Sequence, residues 1–297
     1  MTASVVSNAA SWLMAARPRT LSLSMTPVAV GAALAWATHR ELRWPAVLAA
    51  LVGSALIQIG TNLHNDAADS ERGGDGPDRV GPPRVTASGL LSARAVKSGA
   101  AASFAGAALI GIYLVSVGGR PILILGLLSI VSGWVYTGGP RPIAYMPLGE
   151  LFVILFFGLG AVAGTYWLCT AQLGAAPIEG GLAIGLLTAA VLLVNNRRDV
   201  EADARVWRRT LPIVAGPTAT VWIYAALMAI PFALLPLIAR ALSHGRVWPA
   251  LVALPPALAL VYRFARESPG RGFNQILVRT VQIQFLFGLL LCIGLVL

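Results

Sequence analysis

Charge is what this chain has least of. Only 11% of its 297 residues are Asp, Glu, Lys or Arg, just 12 of them acidic, and the mean hydropathy is +0.76. That excludes an ordinary soluble domain, in which about a quarter of the residues are charged. Cysteine is almost absent. Cys169 and Cys292 lie in apolar stretches with no Cys/His ligand spacing around them, so neither a structural disulfide nor a zinc site is indicated. Long segments of strict apolar/polar alternation are missing, which argues against a transmembrane β-barrel. The net charge of +10 comes from basic residues spread over the ends of apolar runs rather than gathered in one soluble patch, so it does not indicate nucleic acid as a partner.

What the chain does have is hydrocarbon, 57% of it by residue. Apolar runs of about 20 residues, the length of a helix across a bilayer, recur from end to end. The expected fold is therefore all-α: one polytopic membrane bundle over 1–297 with nine spans, at about 20–38, 45–63, 96–117, 121–137, 147–170, 179–195, 214–239, 247–265 and 277–297. Basic residues collect on the cytoplasmic side of short loops. With the N-terminus inside, only Arg40, Arg43, Arg120, Arg240 and Arg246 fall outside and the other 17 of the 22 fall inside, which predicts N-in and C-out. Arg17 and Arg19 precede the first span without a cleavage-like end or an Arg- and Ser-rich transit sequence, which reads as an uncleaved membrane start with Trp12 as an interfacial anchor.

The scarce acids are concentrated. "NLHNDAADSERGGDGPDR", from Asn62, holds Asp66, Asp69, Glu71, Asp75 and Asp78; "NNRRDVEADARVWRRTL", from Asn195, holds a second group. Asn62 precedes Asp66 by four residues and Asn195 precedes Asp199 by four, each at the inner end of a span, with four spans between. This hints at an internal repeat. On a helix, residues three and four apart share a face, so Asn62, Asp66 and Asp69 gather on one side, and Asn195, Asp199 and Asp203 on another. Clustered carboxylates repel unless a cation lies between them, and Mg²⁺ uses one or two carboxylates together with phosphate oxygens. The arginines among them, Arg72, Arg79, Arg84, Arg197, Arg198, Arg208 and Arg209, suit phosphate oxygens. Acid, Mg²⁺ and arginine together read as a diphosphate site. Asp75 and Asp78, in a Gly/Pro-rich stretch, also read as ordinary turn residues, whereas acids abutting a span end are functional candidates.

With these residues in view, the chain resembles a known family. "NLHNDAAD" (62–69), "GPPR" (81–84) and "ASGLLS" (87–92) are similar to the first aspartate-rich region of the UbiA superfamily of intramembrane prenyltransferases. The likeness is greatest to its menaquinone branch, which prenylates 1,4-dihydroxy-2-naphthoate. "RPRTL" (17–21), "YTGGPRPIAY" (136–145), "LGE" (148–150) and "NNRRDVEAD" (195–203) continue the likeness in order. The resemblance implies a nine-helix bundle in the bacterial inner membrane with its active site facing the cytoplasm, and Mg²⁺ as cofactor. It implies a polyprenyl diphosphate donor with its tail in an apolar tunnel, and an aromatic acceptor. It assigns Asp66, Asp69, Asp199 and Asp203 to catalysis and, with Asn62 and Asn195, to two metal positions. It assigns Asn62, Asn65, Arg72, Arg84, Tyr136, Tyr145, Asn195, Asn196, Arg198 and Arg208 to substrate binding. One departure stands out: the family reads Gly-Lys-x-Thr-Leu after the second motif, whereas this chain has Trp207-Arg208-Arg209-Thr210-Leu211. Arg208 keeps a phosphate-binding cation, while Trp207 puts bulk where a permissive backbone is expected.

The chemistry so implied needs charge neutralised on a departing diphosphate and an allyl cation shielded from water. Trp134, Tyr136 and Tyr145 are either aromatic faces for that cation or interfacial anchors. His64 is either a base for a phenolic acceptor or a helix-end histidine. Glu150 is either a substrate contact or half of an ion pair with Arg141. The Arg263–Arg279 region marks the membrane boundary, though "ESPGRGFNQ" faces the inner side and is able to cover the site. Other acceptors, such as 4-hydroxybenzoate or homogentisate, remain open. So does a secondary transporter, which is expected to place its ionisable groups at the midplane rather than at inner ends.

Overall fold

The computed structural model describes residues 8–73, 80–242 and 245–297; Asp75, Asp78, Arg79 and His244, singled out from the sequence or counted in it, lie outside these. All regular structure among the described residues is helical. The helices run as α1 (Asn8–Ala16), α2 (Ser22–His39), α3 (Trp44–Glu71), α4 (Ala93–Val135), α5 (Gly149–Thr170), α6 (Ala175–Arg198), α7 (Val200–Arg205), α8 (Leu211–Arg240), α9 (Trp248–Arg266) and α10 (Phe273–Val296). Seven of these, α3 to α6 and α8 to α10, are long and apolar enough to cross a membrane. An eighth candidate is the bent pair Asn8–Thr20 and Ser22–His39, which meet at 46°. The bend falls in the "RPRTL" stretch, where Arg17 has a left-handed backbone (φ 54) and Pro18 opens a short 3-10 turn.

The 43 residues of α4 are one helix only nominally. Gly119 (φ 68, ψ −153) breaks the ladder, followed by Pro121, and the chain doubles back there. A Cβ on Gly133 would stand 3.2 Å from the ring of Phe104, although 29 residues of continuous helix would separate them by about 43 Å. The predicted spans 96–117 and 121–137 fall on either side of this break, and both ends of α4 emerge at the same end of the bundle.

α6 is the central post. Buried residues make up 78% of its most apolar stretch, against 6% for α4, which lies at the periphery. The core around α6 is closed by α2, α8, α9 and α10, with Leu34, Ile184, Leu187, Tyr224 and Phe287 fully buried. Contact between α5 and α6 is close enough to need glycine. A Cβ on Gly158, within the π-helical turn Ile154–Gly160, would come 2.4 Å from the Gly181 carbonyl oxygen and 2.6 Å from Gly185 Cα. Small residues that let backbones touch are the usual device of helix packing in lipid. This tight core leaves the polar residues to one end, where α3, α6 and α7 deliver the two acidic motifs.

Candidate active site at the acidic ends of α3 and α6

α3 carries Asn62, Asp66 and Asp69 on one face of its last three turns, all buried. α6 ends at Asp199, which caps it, and the short α7 carries Asp203. After α7 the chain reverses: the backbone N–H of Arg208 donates to the Asp203 carbonyl (3.0 Å) through a left-handed Trp207 (φ 59). That reversal sends the Arg208 side chain back across the site, between the motifs.

The guanidinium of Arg208 joins them. Nη2 lies 2.5 Å from Asp69 Oδ1, Nη1 lies 3.2 Å from Asp203 Oδ1, and the cation stacks over the ring of Tyr145 at 4.6 Å. Tyr145 is held in turn, because the N–H of Arg209 donates to its carbonyl (3.0 Å). On the far side of Asp69, Arg84 donates to Oδ2 (3.0 Å). Asp66 accepts the backbone N–H groups of Val85 (3.2 Å) and Thr86 (2.9 Å). "GPPR" and the turn after it are therefore drawn over α3 by the carboxylates of the first motif.

The second motif is tied by Arg198, which is buried. It grips Asp199 with two nitrogens (2.9 and 2.6 Å), reaches Asn195 Oδ1 (2.8 Å) and donates to Asn274 Oδ1 on α10 (3.0 Å). Asn274 donates onward to the Val80 carbonyl (3.1 Å). A Cβ on Gly81 would come 2.7 Å from Arg198 Nη2, so a glycine is needed where the first loop crosses the second motif. Asn274 is a partner that the spacing of the acids does not reveal; the only sequence sign of it is the "FNQ" at the inner start of the last span.

The remaining predicted residues divide. Tyr136 lies within electrostatic reach of the cluster: burial first, then the neighbouring Glu150, push its phenol well above the ordinary range, with Asp69 and Asp203 adding to the rise and Arg208 opposing it. Asn196 donates to Glu150 Oε1 (2.9 Å). That disagrees with one of the two readings of Glu150, an ion pair with Arg141: Glu150 is buried at the start of α5 and bonded to α6, while Arg141 is exposed. Asn62 donates to the Ala16 carbonyl (3.0 Å) and accepts from Gln58 (3.3 Å), fastening α1 to α3. Asn65 accepts from the Thr137 hydroxyl (2.5 Å), and Arg72 holds the carbonyls of Thr137 and Gly139 while its cation lies 5.6 Å from the Tyr145 ring. His64 and Trp134 are not brought to the acids. Two residues past Asn62, His64 points from the opposite face of α3 and lies 5.9 Å from the half-exposed Trp134.

Electrostatically the cluster is a set of oxygen donors already balanced by arginine. Arg208 is held firmly charged: its two carboxylate neighbours and Tyr145 raise its pKa, outweighing the burial that opposes the charge. Asp203 is pushed up to about 6, chiefly by burial, with Asp199 and Asp69 adding to the rise and Arg208 opposing it. Among the described residues no three acidic, imidazole or thiol side chains are grouped to hold an ion. The donors are nonetheless hard oxygens, the set that suits Mg²⁺ rather than a thiophilic metal.

Comparison with known proteins points the same way. The sequence model of the UbiA prenyltransferase family matches residues 24–276. The chain is 34% identical over 301 residues to a 1,4-dihydroxy-2-naphthoate octaprenyltransferase of Escherichia coli, covering 99% of this chain and 97% of that one. It is 38% identical over 221 residues to the Mycobacterium tuberculosis protein of the same name, covering 74% and 75%. In fold it resembles a UbiA homolog from Archaeoglobus fulgidus bound to DMAPP and Mg²⁺, with TM-score 0.67, 19% identity and coverage of 96% and 99%. A UbiA homolog from Aeropyrum pernix superposes with TM-score 0.68 at 16% identity, covering 94% and 97%.

Proposed function

The chain belongs to the UbiA prenyltransferase family and is a membrane prenyltransferase, and on that footing we propose that it transfers a polyprenyl group from its diphosphate to 1,4-dihydroxy-2-naphthoate, with Mg²⁺, at a site facing the cytoplasm. The observation that carries this reading is the Arg208 bridge, with Asp69 and Asp203 on one guanidinium, because it joins two acidic motifs from distant parts of the chain at one point. The names of the E. coli and M. tuberculosis relatives support the naphthoate as the acceptor. The UbiA homolog solved with DMAPP and Mg²⁺ supports the metal and the class of donor.

Asp66, Asp69, Asp199 and Asp203, with Asn62 and Asn195, are the oxygens that would hold Mg²⁺. The ion would neutralise charge on the diphosphate as the allylic C–O bond breaks. Arg208, Arg84 and Arg198 are the cations for the phosphate oxygens, since guanidinium matches phosphate in two-point contact. As the diphosphate leaves with the bonding electrons, the naphthoate carbon that bears the carboxylate attacks the allyl cation and carbon dioxide is lost. Tyr136, partly buried, and Tyr145, over whose ring Arg208 stacks, offer aromatic faces for that cation. The apolar interior keeps water from the cation.

The test is turnover of a polyprenyl diphosphate and 1,4-dihydroxy-2-naphthoate by the purified protein with Mg²⁺, beside Asp66→Ala and Asp199→Ala. Prenylated naphthol that requires the ion and both aspartates supports the whole reading. Turnover of 4-hydroxybenzoate but not of the naphthoate replaces the acceptor, and failure to bind the donor removes the diphosphate site.

A further inference from the structure

The face of α3 turned away from the acids has a use of its own. His64, Ala68 and Glu71 recur there at one-turn spacing and border two recesses that share Glu71 and Lys97. The outer recess, about 420 Å³, is lined by Arg94, Lys97 and Ser98 at the start of α4. The inner one, about 160 Å³, runs in between Arg72, His64 and Trp134. Among the described residues, three guanidinium or ammonium groups thus face a single carboxylate. Glu71 takes Lys97, whose Nζ stands 2.6 and 2.7 Å from its two oxygens. Arg94 is exposed and makes no ion pair among the described residues. His64 Nε2 is buried and has no hydrogen-bond partner among the described residues. From the mouth of the recess an apolar stripe runs down the outer side of α4, with Trp134, Val131, Leu127 and Ile124 each half or more exposed.

We propose that this recess binds the phosphate headgroup of an anionic membrane phospholipid, its acyl chains lying along the Ile124–Trp134 stripe. The charge excess calls for an anion. The stripe, leading away from the cations toward the middle of a spanning helix, calls for a hydrocarbon tail on that anion. An amphiphile satisfies both, whereas free phosphate leaves the stripe unused. Basic recesses between helix ends are where anionic headgroups bind, and Trp134 stands at the junction where an indole favours the interface. The recess also communicates with the site. Arg72, which lines it, holds the Thr137 and Gly139 carbonyls and lies over the Tyr145 ring on which Arg208 stacks.

The experiment uses the full chain in nanodiscs of phosphatidylcholine containing phosphatidylglycerol, transferred to mild detergent, with retained lipid counted by native mass spectrometry. The expected result is one phosphatidylglycerol per chain and no selective retention of phosphatidylcholine. Retention should fall about tenfold or more in Arg94→Gln/Lys97→Gln and rise in Glu71→Gln, which removes the opposing charge that lines the recess. Both substitutions lie on exposed side chains, and matched melting curves in phosphatidylcholine alone check that the fold is kept. Equal retention by the double variant overturns the proposal, as does no rise in Glu71→Gln or equal retention of the neutral lipid. Displacement of the lipid by millimolar inorganic phosphate with no loss of affinity for the phosphate itself in the double variant also overturns it.

Discussion

Asp69 and Asp203 hold the two ends of one guanidinium, at 2.5 and 3.2 Å. Neither carboxylate is exposed, so Arg208 between them, with Arg84 on the far side of Asp69, is what allows both to be ionised side by side. The protein thus folds its two acidic motifs together around a positive charge of its own, the charge that the proposed function assigns to the diphosphate.

Replacing Arg208 with alanine leaves two buried carboxylates facing each other. Removing one partner from a buried ion pair costs about 3–5 kcal/mol, so the detergent-solubilised variant should melt markedly earlier and lose at least about 100-fold in kcat/KM. Arg208→Lys should recover most of the stability but less of the activity, because an ammonium cannot make the two-point contact. Melting curves and initial rates, with donor and acceptor varied separately, check this. Full turnover in Arg208→Ala removes the residue from the machinery.

Asp203 gives the site a dependence on pH. Its pKa is raised to about 6, so below that value it is a neutral acid that cannot ligate a cation, and above it a carboxylate that can. Apparent Mg²⁺ affinity should therefore fall as pH drops through about 6, with proton release on binding in that range. Titrations between pH 5 and 8 test this. Asp203→Asn should bind the ion weakly and lack this limb, and an unchanged limb in that variant would assign it to another group.

Trp207 occupies a left-handed conformation with its side chain 90% exposed. Backbone strain of this kind costs about 1–3 kcal/mol for a residue with a Cβ, and the indole recovers little by packing within the chain. Trp207→Gly should raise thermal stability by about 1 kcal/mol while leaving the Arg208 bridge and the turnover intact. A lower melting temperature would mean that the exposed indole has a partner in the membrane or elsewhere.

Gly158→Ala tests the α5 and α6 contact. The added methyl meets backbone rather than a movable side chain, so the helices must part. A loss of about 1–3 kcal/mol is expected, with activity falling through displacement of Asp199 and Glu150. Gly174→Ala, at a position where a Cβ meets nothing within 4 Å, serves as the control, and equal effects from the two would deny the close approach any special role.

Asp66 has a structural role independent of any metal. Its oxygens hold the N–H groups of Val85 and Thr86, so Asp66→Ala should speed amide exchange at those two residues even without Mg²⁺ or donor. Hydrogen exchange by mass spectrometry reads this directly, and unchanged protection would confine Asp66 to ligand chemistry.

Much of this was legible from composition and spacing. The acids are so few that Asp66, Asp69, Asp199 and Asp203 announce themselves, and the paired Asn-x-x-x-Asp spacing anticipates two helix ends meeting. What spacing does not reveal is which side chain satisfies which. Asn196 rather than Arg141 meets Glu150, because Glu150 is buried at the start of α5 where Asn196 on α6 reaches it, while Arg141 is exposed. His64 is excluded from the cluster by helical phase: two residues from Asn62, it lies about 200° around α3. The bridge itself depends on the reversal at Trp207, where the sequence carries tryptophan rather than the glycine such a turn favours.

The break at Gly119 has a consequence in parity. Between Asp69 and Asp203 the chain runs through both limbs of α4, then α5 and α6, an even number of traverses, which returns the second motif to the face it left. Were α4 the single rod its length suggests, the number would be odd, and Asp203 would emerge a full membrane thickness away from Arg208's other carboxylate. One residue that can adopt a left-handed backbone thus decides whether the two halves of the site share a compartment.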